Sequence, residues 1–192
     1  DILRMLCADV EQAWAAGTIS RAHALRLWQL LPRTVEALAT QGPDLVDAFI
    51  AGEPLLQRAA AHDAIDSGLL AKVHELIVRR QARGREAGVD QERIFDEWTA
   101  LLRALSGHSP LLLMLDDLHW ADASSIGLLF HLARRLAGSP VLILGAYRPE
   151  EVALGRDGQE HPLTSVLNEF QRLLGDVRVH LGAGGRGAGR GF

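Results

Sequence analysis

Apolar residues recur every three to four positions through residues 1–106, which is the spacing of one buried face of a helix. Ser20 and Asp90 stand where side chains cap helix N-termini, and Pro32 and Pro43 can each occupy the first turn of a helix. The pattern therefore predicts an all-helical segment, with helices over residues 2–16, 21–31, 32–41, 43–50, 64–87 and 91–105.

After residue 108, short apolar runs alternate with amphipathic stretches. Residues 111–115 predict a strand buried on both faces, because five apolar residues stand in succession. Asp122 can cap the helix that follows it. Residues 149–160 are predicted to form a loop. The order predicts an α/β fold with a parallel sheet and right-handed crossovers, built from strands 111–115, 141–147 and 177–181 and from helices 123–136 and 162–174.

Composition narrows the class of protein. The 192 residues carry a net charge of -4, which argues against direct nucleic-acid contact by this segment. No apolar run is long enough to cross a membrane, and no signal peptide stands at the start, so we expect a cytoplasmic location without membrane contact. Because the first residue is Asp1 rather than methionine, we expect the sequence to be a piece of a longer protein.

Two adjacent carboxylates, Asp116 and Asp117, come directly after the first predicted strand. Open α/β sheets bind their ligands at the carboxyl ends of strands, and the Mg2+ of a bound nucleotide prefers hard, anionic oxygen ligands. The pair therefore indicates the metal side of a nucleotide site, in which one acid holds the metal and the other orients the attacking water. The structural alternative is that both acids only cap a turn.

The phosphate side of such a site is not visible in the sequence. A phosphate-binding loop needs Gly-x-x-x-x-Gly-Lys-Ser/Thr, because its lysine reaches the β- and γ-phosphates. Among the 20 basic residues the single lysine is Lys72, which has no glycine before it and no hydroxyl after it in Leu-Ala-Lys-Val-His. Residues 182–187 fit Gly-x-Gly-x-x-Gly only as a bare string, within a Gly/Arg-rich stretch that predicts a flexible tail.

Two segments together resemble a known family. Residues 111–125 read Leu-Leu-Leu-Met-Leu-Asp-Asp-Leu-His-Trp-Ala-Asp-Ala-Ser-Ser, and residues 141–152 read Val-Leu-Ile-Leu-Gly-Ala-Tyr-Arg-Pro-Glu-Glu-Val. They resemble the STAND branch of AAA-type P-loop ATPases, found in large bacterial LuxR-type transcription regulators and adenylate-cyclase-linked regulators. The likeness is strongest over residues 109–152 and weaker over the helices before them.

The resemblance implies a role for each site residue. Asp116 and Asp117 match the Walker B pair, with Asp117 and Asp116 catalytic and with Asp116 on Mg2+, directly or through water. Arg148 matches the arginine that senses the γ-phosphate of ATP. Alternatively, it forms an ion pair with an acid, which could be Asp116, Asp117, Glu150 or Glu151. Asp122 is read as a helix cap. The alternative for Asp122 is a catalytic acid. Trp120 packs under the site or stacks on a base, and His119 orients a carboxylate or is only a polar turn residue.

The resemblance also implies an organisation. Residues 1–106 would be a helical insert or lead-in, residues 107–181 the Walker B and sensor half of an AAA-like core, and residues 182–192 a tail. We expect an ATP-binding regulatory switch within a larger signalling protein, inactive alone, whose partners are nucleotide and other domains of the same chain. In the family, the P-loop strand lies in the sheet between the sensor strand and the last strand, and we expect this chain to lack that strand. Apolar surface left open by its absence favours self-association. The alternative is a non-catalytic helical interaction scaffold derived from such an ATPase.

Overall fold

A computed structural model of the protein describes residues 2–8, 10–46, 48–83, 90–155 and 160–181. The predicted tail, residues 182–192, lies outside the described residues. Two short 3-10 turns occur, at Pro43–Leu45 and Leu118–Trp120. In chain order, the other elements are α1 Ile2–Cys7, α2 Val10–Ala15, α3 Arg21–Gln41, α4 Gly52–Ala60, α5 Ser67–Arg83, α6 Gln91–Ser106, β1 Leu111–Leu115, α7 Ala123–Arg135, β2 Val141–Gly145, α8 Pro149–Leu154 and α9 Pro162–Leu174.

The chain forms two compact units. The first unit comprises Asp1–Leu115 and Leu128–Leu144, and it holds α1 to α6, β1, most of β2 and the second half of α7. Of the described residues, the second unit comprises Asp116–Gly127, 145–155 and 160–181. The boundary predicted between residues 106 and 107 lies where helical sequence gives way to α/β sequence, and it does not coincide with the division between these two units. As a division of an ATPase module, this boundary stays a prediction.

The core of the first unit is built on α3 and α6. Their buried faces carry apolar side chains at helical spacing, because each helix has one stripe that turns away from water. Ser20 caps α3 by accepting the N–H of His23, and Asp90 caps α6 by accepting the N–H of Glu92, as the sequence predicted. The largest fully buried side chains of these two helices are Leu31, Val35, Leu38, Leu101, Leu102 and Leu105.

Several helix boundaries predicted from the sequence were wrong. Pro32 does not begin a new helix; it lies inside α3, which continues from Arg21 to Gln41. A proline removes one backbone hydrogen bond from a helix, and the neighbouring buried residues Leu31 and Val35 hold the helix together through packing. The predicted helix over residues 2–16 is two short helices. The predicted helix over residues 43–50 is only a 3-10 turn, and Gly52 begins α4 instead of ending a helix.

The structure is mostly helical and has a small two-stranded parallel sheet, β1 beside β2, which is compatible with the predicted α/β class. The third predicted strand, residues 177–181, is not a strand, and no partner pairs with it among the described residues. The predicted loop over residues 149–160 contains helix α8. Pro149 with Glu150 and Glu151 in the first turn explains this helix, since proline and acids both favour helix N-termini.

The prediction that β1 is buried on both faces was also wrong. Side chains alternate along each strand, so one face packs on the helical core and the other faces outward. The outward side chains are between 54% and 71% exposed although all are large and apolar: Leu112, Met114, Leu142 and Leu144. The apolar run of β1 therefore has one face on the helical core and one face exposed to solvent, rather than two buried faces. By length and hydropathy, the helices of the described ranges all fall short of what a membrane crossing requires.

A buried charge cluster joins the turn after α3 to α5 and α6 in the first unit. The Asp44 carboxylate pairs with Arg80, whose Nη1 lies 2.5 Å from Oδ1, and with Arg93 through Oδ2. The N–H of Asp44 donates to Glu97 Oε2 at 2.8 Å. Burial raises the pKa of Glu97 from 4.5 to about 7, and the nearby Asp44 carboxylate adds to the rise, while the N–H of Asp44 and the charge of Arg93 oppose it.

Candidate functional site

The turn after β1 carries the two adjacent carboxylates and belongs to the second unit. Asp117 has φ 54° and ψ 41°, a left-handed conformation that aspartate tolerates better than most residues. Asp116 Oδ1 accepts the N–H of Asp117 at 2.9 Å, so this acid does make the local turn contact that the structural alternative predicted. The N–H of Leu118 donates to the carbonyl of Ala146 at 2.9 Å, which fixes the turn to the segment after β2.

His119 lies in the 3-10 turn that follows Asp117 directly and is 3% exposed. Its Nε2 is 3.7 Å from Asp117 Oδ1 and 3.4 Å from Glu151 Oε2, so the ring lies between two carboxylates from different parts of the chain. These distances place the ring within ion-pair range of both carboxylates but beyond hydrogen-bond distance of Asp117, so both alternatives for His119 stay open.

Arg148 caps α8 in position but not through its side chain, which is mostly exposed and pairs with Glu151. Its Nη1 donates to Glu151 Oε1 at 3.0 Å. The ion-pair alternative is therefore realised with Glu151, while the exposed remainder of the guanidinium keeps further donors in solvent. Because Glu151 also approaches His119, contacts lead from Arg148 through Glu151 and His119 to Asp117, and two of the three predicted site residues share one network.

The remaining signature residues differ in their roles. The Asp122 carboxylate accepts the N–H of Ser125 at 2.6 Å and caps α7, as predicted. This hydrogen bond is the main reason that the pKa of Asp122 is below its usual value. Trp120 is 65% exposed and its ring centroid lies 5.6 Å from that of His119, which argues against the alternative that it packs beneath the site.

A small apolar core supports the site from below. Ile126 of α7, Val152 of α8 and Leu163 of α9 are buried against one another, and Leu118 and Tyr147 pack on them at the edge. Apart from Leu163, each of these side chains follows or precedes a site residue by a few positions. The core therefore fixes the backbone that carries the carboxylates and Arg148.

A family model described as an AAA ATPase domain matches residues 2–144, well over half of the chain. The chain belongs to the AAA ATPase domain family. The likeness to AAA-type ATPases that the sequence predicted is confirmed at this level, and the family match includes Asp116 and Asp117 but ends before Arg148. No curated protein and no solved structure matches the chain.

AAA ATPases generally use ATP and Mg2+. Mg2+ binds in proteins through one or two carboxylates and completes its shell with water and phosphate oxygens. Asp116 and Asp117 supply two such carboxylates in exposed positions, so their chemistry fits this metal. In the described ranges no group of three or more His, Cys, Asp or Glu side chains could hold a metal ion. The donor set thus suits a Mg2+ ion that keeps water in most of its shell, where phosphate oxygens can later replace it, rather than one held by protein ligands alone.

Sequence reasoning missed two residues of this site. Glu151 appeared only as one of several possible partners of Arg148, although it contacts both Arg148 and His119. His161 did not appear at all, although it is buried and its ring reaches the carbonyl of His119. The one local signal for His161 was its place directly before Pro162, which marks the start of a helix and gives no hint of a contact across 42 positions.

Proposed function

We propose that this chain is the Walker B and sensor part of an ATP-binding regulatory module. The observation that carries the proposal is the Asp116–Asp117 turn directly after β1, within the region that matches the AAA ATPase domain family. The network that leads from Asp117 to Arg148 supports it, because it holds an acid and an arginine in one unit by side-chain contacts.

Each residue has a role in the proposal. Asp116 would hold Mg2+, directly or through water, and this ion would supply positive charge that neutralises developing charge on the phosphates. Asp117, oriented by His119, positions the water that attacks. Arg148 senses the γ-phosphate by exchanging its ion pair with Glu151 for the phosphate oxygens, which a guanidinium binds with paired donors.

The finer assignment follows the sequence resemblance. We place the module in the STAND branch, within a larger cytoplasmic bacterial regulator of the LuxR or adenylate-cyclase-linked type. The 192 residues contain no Gly-x-x-x-x-Gly-Lys-Ser/Thr string, so the phosphate-binding loop would come from another part of the protein. Nucleotide and the other domains of the same protein are the proposed partners, and by themselves these residues would hydrolyse no ATP.

A second candidate is a non-catalytic helical interaction scaffold derived from such an ATPase. The absent phosphate-binding string and the predominance of helices favour it. The two candidates differ in one property, since only a working module depends on its Walker B acids for nucleotide binding.

The experiment is a titration of the full-length protein with fluorescently labelled ATP, with and without Mg2+. For the wild type we expect tight binding that requires Mg2+, and for Asp116→Asn we expect this requirement to disappear together with most of the affinity. Asp122→Asn is the matched control, because it removes the same charge six positions away and keeps the helix cap. Mg2+-dependent binding that is unchanged in Asp116→Asn refutes the assigned role and favours the scaffold.

A further inference from the structure

His161 forms two hydrogen bonds from one buried ring. It is the N-cap of α9, where its Nδ1 accepts the N–H of Leu163 at 3.1 Å. On the opposite side of the ring, Nε2 lies 3.0 Å from the carbonyl oxygen of His119. The ring is 2% exposed, so both contacts are shielded from water.

These two contacts determine the state of the ring. A nitrogen that accepts an N–H cannot carry a proton, so Nδ1 is unprotonated. The proton of the neutral ring is therefore on Nε2, and Nε2–H donates to the carbonyl of His119. Only this tautomer satisfies both ends: a doubly protonated ring would lose the contact at Nδ1, and the tautomer with its proton on Nδ1 would lose both hydrogen bonds.

A capping role alone does not require this residue. Short side chains such as Ser, Asp or Asn cap a helix because their oxygen lies close to the backbone. Histidine adds a donor on its far side, and here that donor reaches the 3-10 turn that contains His119. The far contact thus ties the start of α9 to the turn in which Asp117 is held.

The tie continues into the site. The carbonyl of His119 is bound by His161, and the ring of His119 approaches Asp117 and Glu151. Glu151 in turn pairs with Arg148. Holding the backbone of His119 therefore sets the position of its ring, and through that ring the positions of an acid and an arginine of the candidate site.

We propose that His161 is a positioning residue that couples α9 to the Asp117 turn, so that a change at the metal side of the site moves the start of α9. The coupling rests on the proposed function, since it takes Asp116 and Asp117 to be the metal side.

The test uses two variants that each keep one half of the contact. In His161→Asn, the short amide keeps an acceptor near the place of Nδ1 and cannot reach the carbonyl of His119. In His161→Gln, the longer amide places a donor near the place of Nε2 and loses the close acceptor. If His161 only caps α9, the Asn variant behaves like the wild type and the Gln variant does not. If His161 positions the Asp117 turn, the Gln variant behaves like the wild type at that turn and the Asn variant does not.

The readouts are NMR spectra of the isotope-labelled 192-residue chain. Long-range proton–nitrogen correlations identify the protonated nitrogen of His161, which we expect to be Nε2 in the wild type. We expect His161→Asn to shift the amide resonances of Asp117 and His119 and to abolish the response of the Leu163 amide to added Mg2+. His161→Gln retains the wild-type pattern at Asp117 and His119 and the Mg2+ response at Leu163.

Two outcomes overturn the proposal. One is a wild-type His161 ring that is protonated on Nδ1. This outcome is measured in the wild-type chain alone, so it does not depend on whether His161→Asn folds. The other is a His161→Asn chain whose Asp117 and His119 amides stay in place. A wild-type chain whose Asp116 and Asp117 amides ignore Mg2+ refutes the proposed function instead, and the positioning role of His161 is then still decided by the tautomer and the amide shifts.

Discussion

Replacing Glu97 with glutamine should remove much of the pH dependence of stability in the first unit. Glu97 is 8% exposed and accepts the N–H of Asp44, whose carboxylate lies nearby with Arg80 and Arg93. Because burial disfavours the ionised carboxylate, the pKa of Glu97 rises from 4.5 to about 7 in the folded protein. Glutamine has nearly the same shape and can still accept the hydrogen bond from Asp44, but it does not ionise.

The sign follows from proton uptake. Between the unfolded pKa of 4.5 and the folded pKa of about 7, the folded protein holds a proton on Glu97 that the unfolded chain releases. The free energy of unfolding therefore falls as pH rises through this window. One pKa unit corresponds to about 1.4 kcal/mol, so the loss between about pH 5 and about pH 8 is roughly 2.5 kcal/mol. This is a large part of the ~5–15 kcal/mol that stabilises an ordinary domain.

Urea denaturation of the wild type and of Glu97→Gln at about pH 5 and about pH 8 measures this difference. We expect the wild type to lose roughly 2.5 kcal/mol more than the variant across this range. Glu92→Gln, an exposed acid on the same helix, is the control and should follow the wild type. Equal pH dependence in the wild type and in Glu97→Gln would show that the buried carboxyl keeps its ordinary pKa, and the reasoning would fail.

Two further predictions concern the capping of α7 and the open face of the sheet. Asp122→Ala should lower the free energy of unfolding by about 1 kcal/mol because α7 loses its cap, whereas Asp122→Asn should lose little; equal losses in urea denaturation would contradict the capping role. The wild-type chain should associate in sedimentation experiments, because large apolar side chains of β1 and β2 are exposed. The double substitution Met114→Thr and Leu144→Thr should weaken this association, whereas Leu154→Thr, at an exposed position in α8, should not. A wild-type chain that stays monomeric at every concentration would contradict the prediction that the open sheet face drives association.

Local chemistry in the sequence predicted many elements because their causes lie within a few residues. Asp90 and Asp122 were recognised as caps from their position before an apolar stripe, and the structure has both capping hydrogen bonds. Residues 111–115 form the predicted strand, and α9 has the predicted bounds. In these cases the side chain and the backbone group that it satisfies are close in sequence.

The errors arise where contacts distant in sequence decide the outcome. Pro32 would end an isolated helix, but buried neighbours on α3 keep the helix continuous. Residues 177–181 alternate like a strand, yet a strand requires a partner to hydrogen-bond, and none pairs with them among the described residues. The contact between His161 and His119 also could not be read from spacing, because folding alone brings together residues 42 positions apart.

The candidate site lies between these cases. The Asp116–Asp117 pair and Arg148 were singled out from the end of an apolar run and from a family resemblance. The sequence did not predict that His119 and Glu151 would connect Asp117 with Arg148, because that connection depends on the packing of α8 beneath the turn.

The central claim is that Asp116 and Asp117 form the metal side of a nucleotide site. The most direct measurement is paramagnetic broadening of backbone amide resonances by Mn2+, used as a probe for Mg2+, in the 192-residue chain. We expect broadening that is centred on Asp116 and Asp117, that is lost in the double variant Asp116→Asn and Asp117→Asn, and that remains in Asp122→Asn. Broadening that persists in the double variant, or that is centred elsewhere in the chain, would contradict the claim.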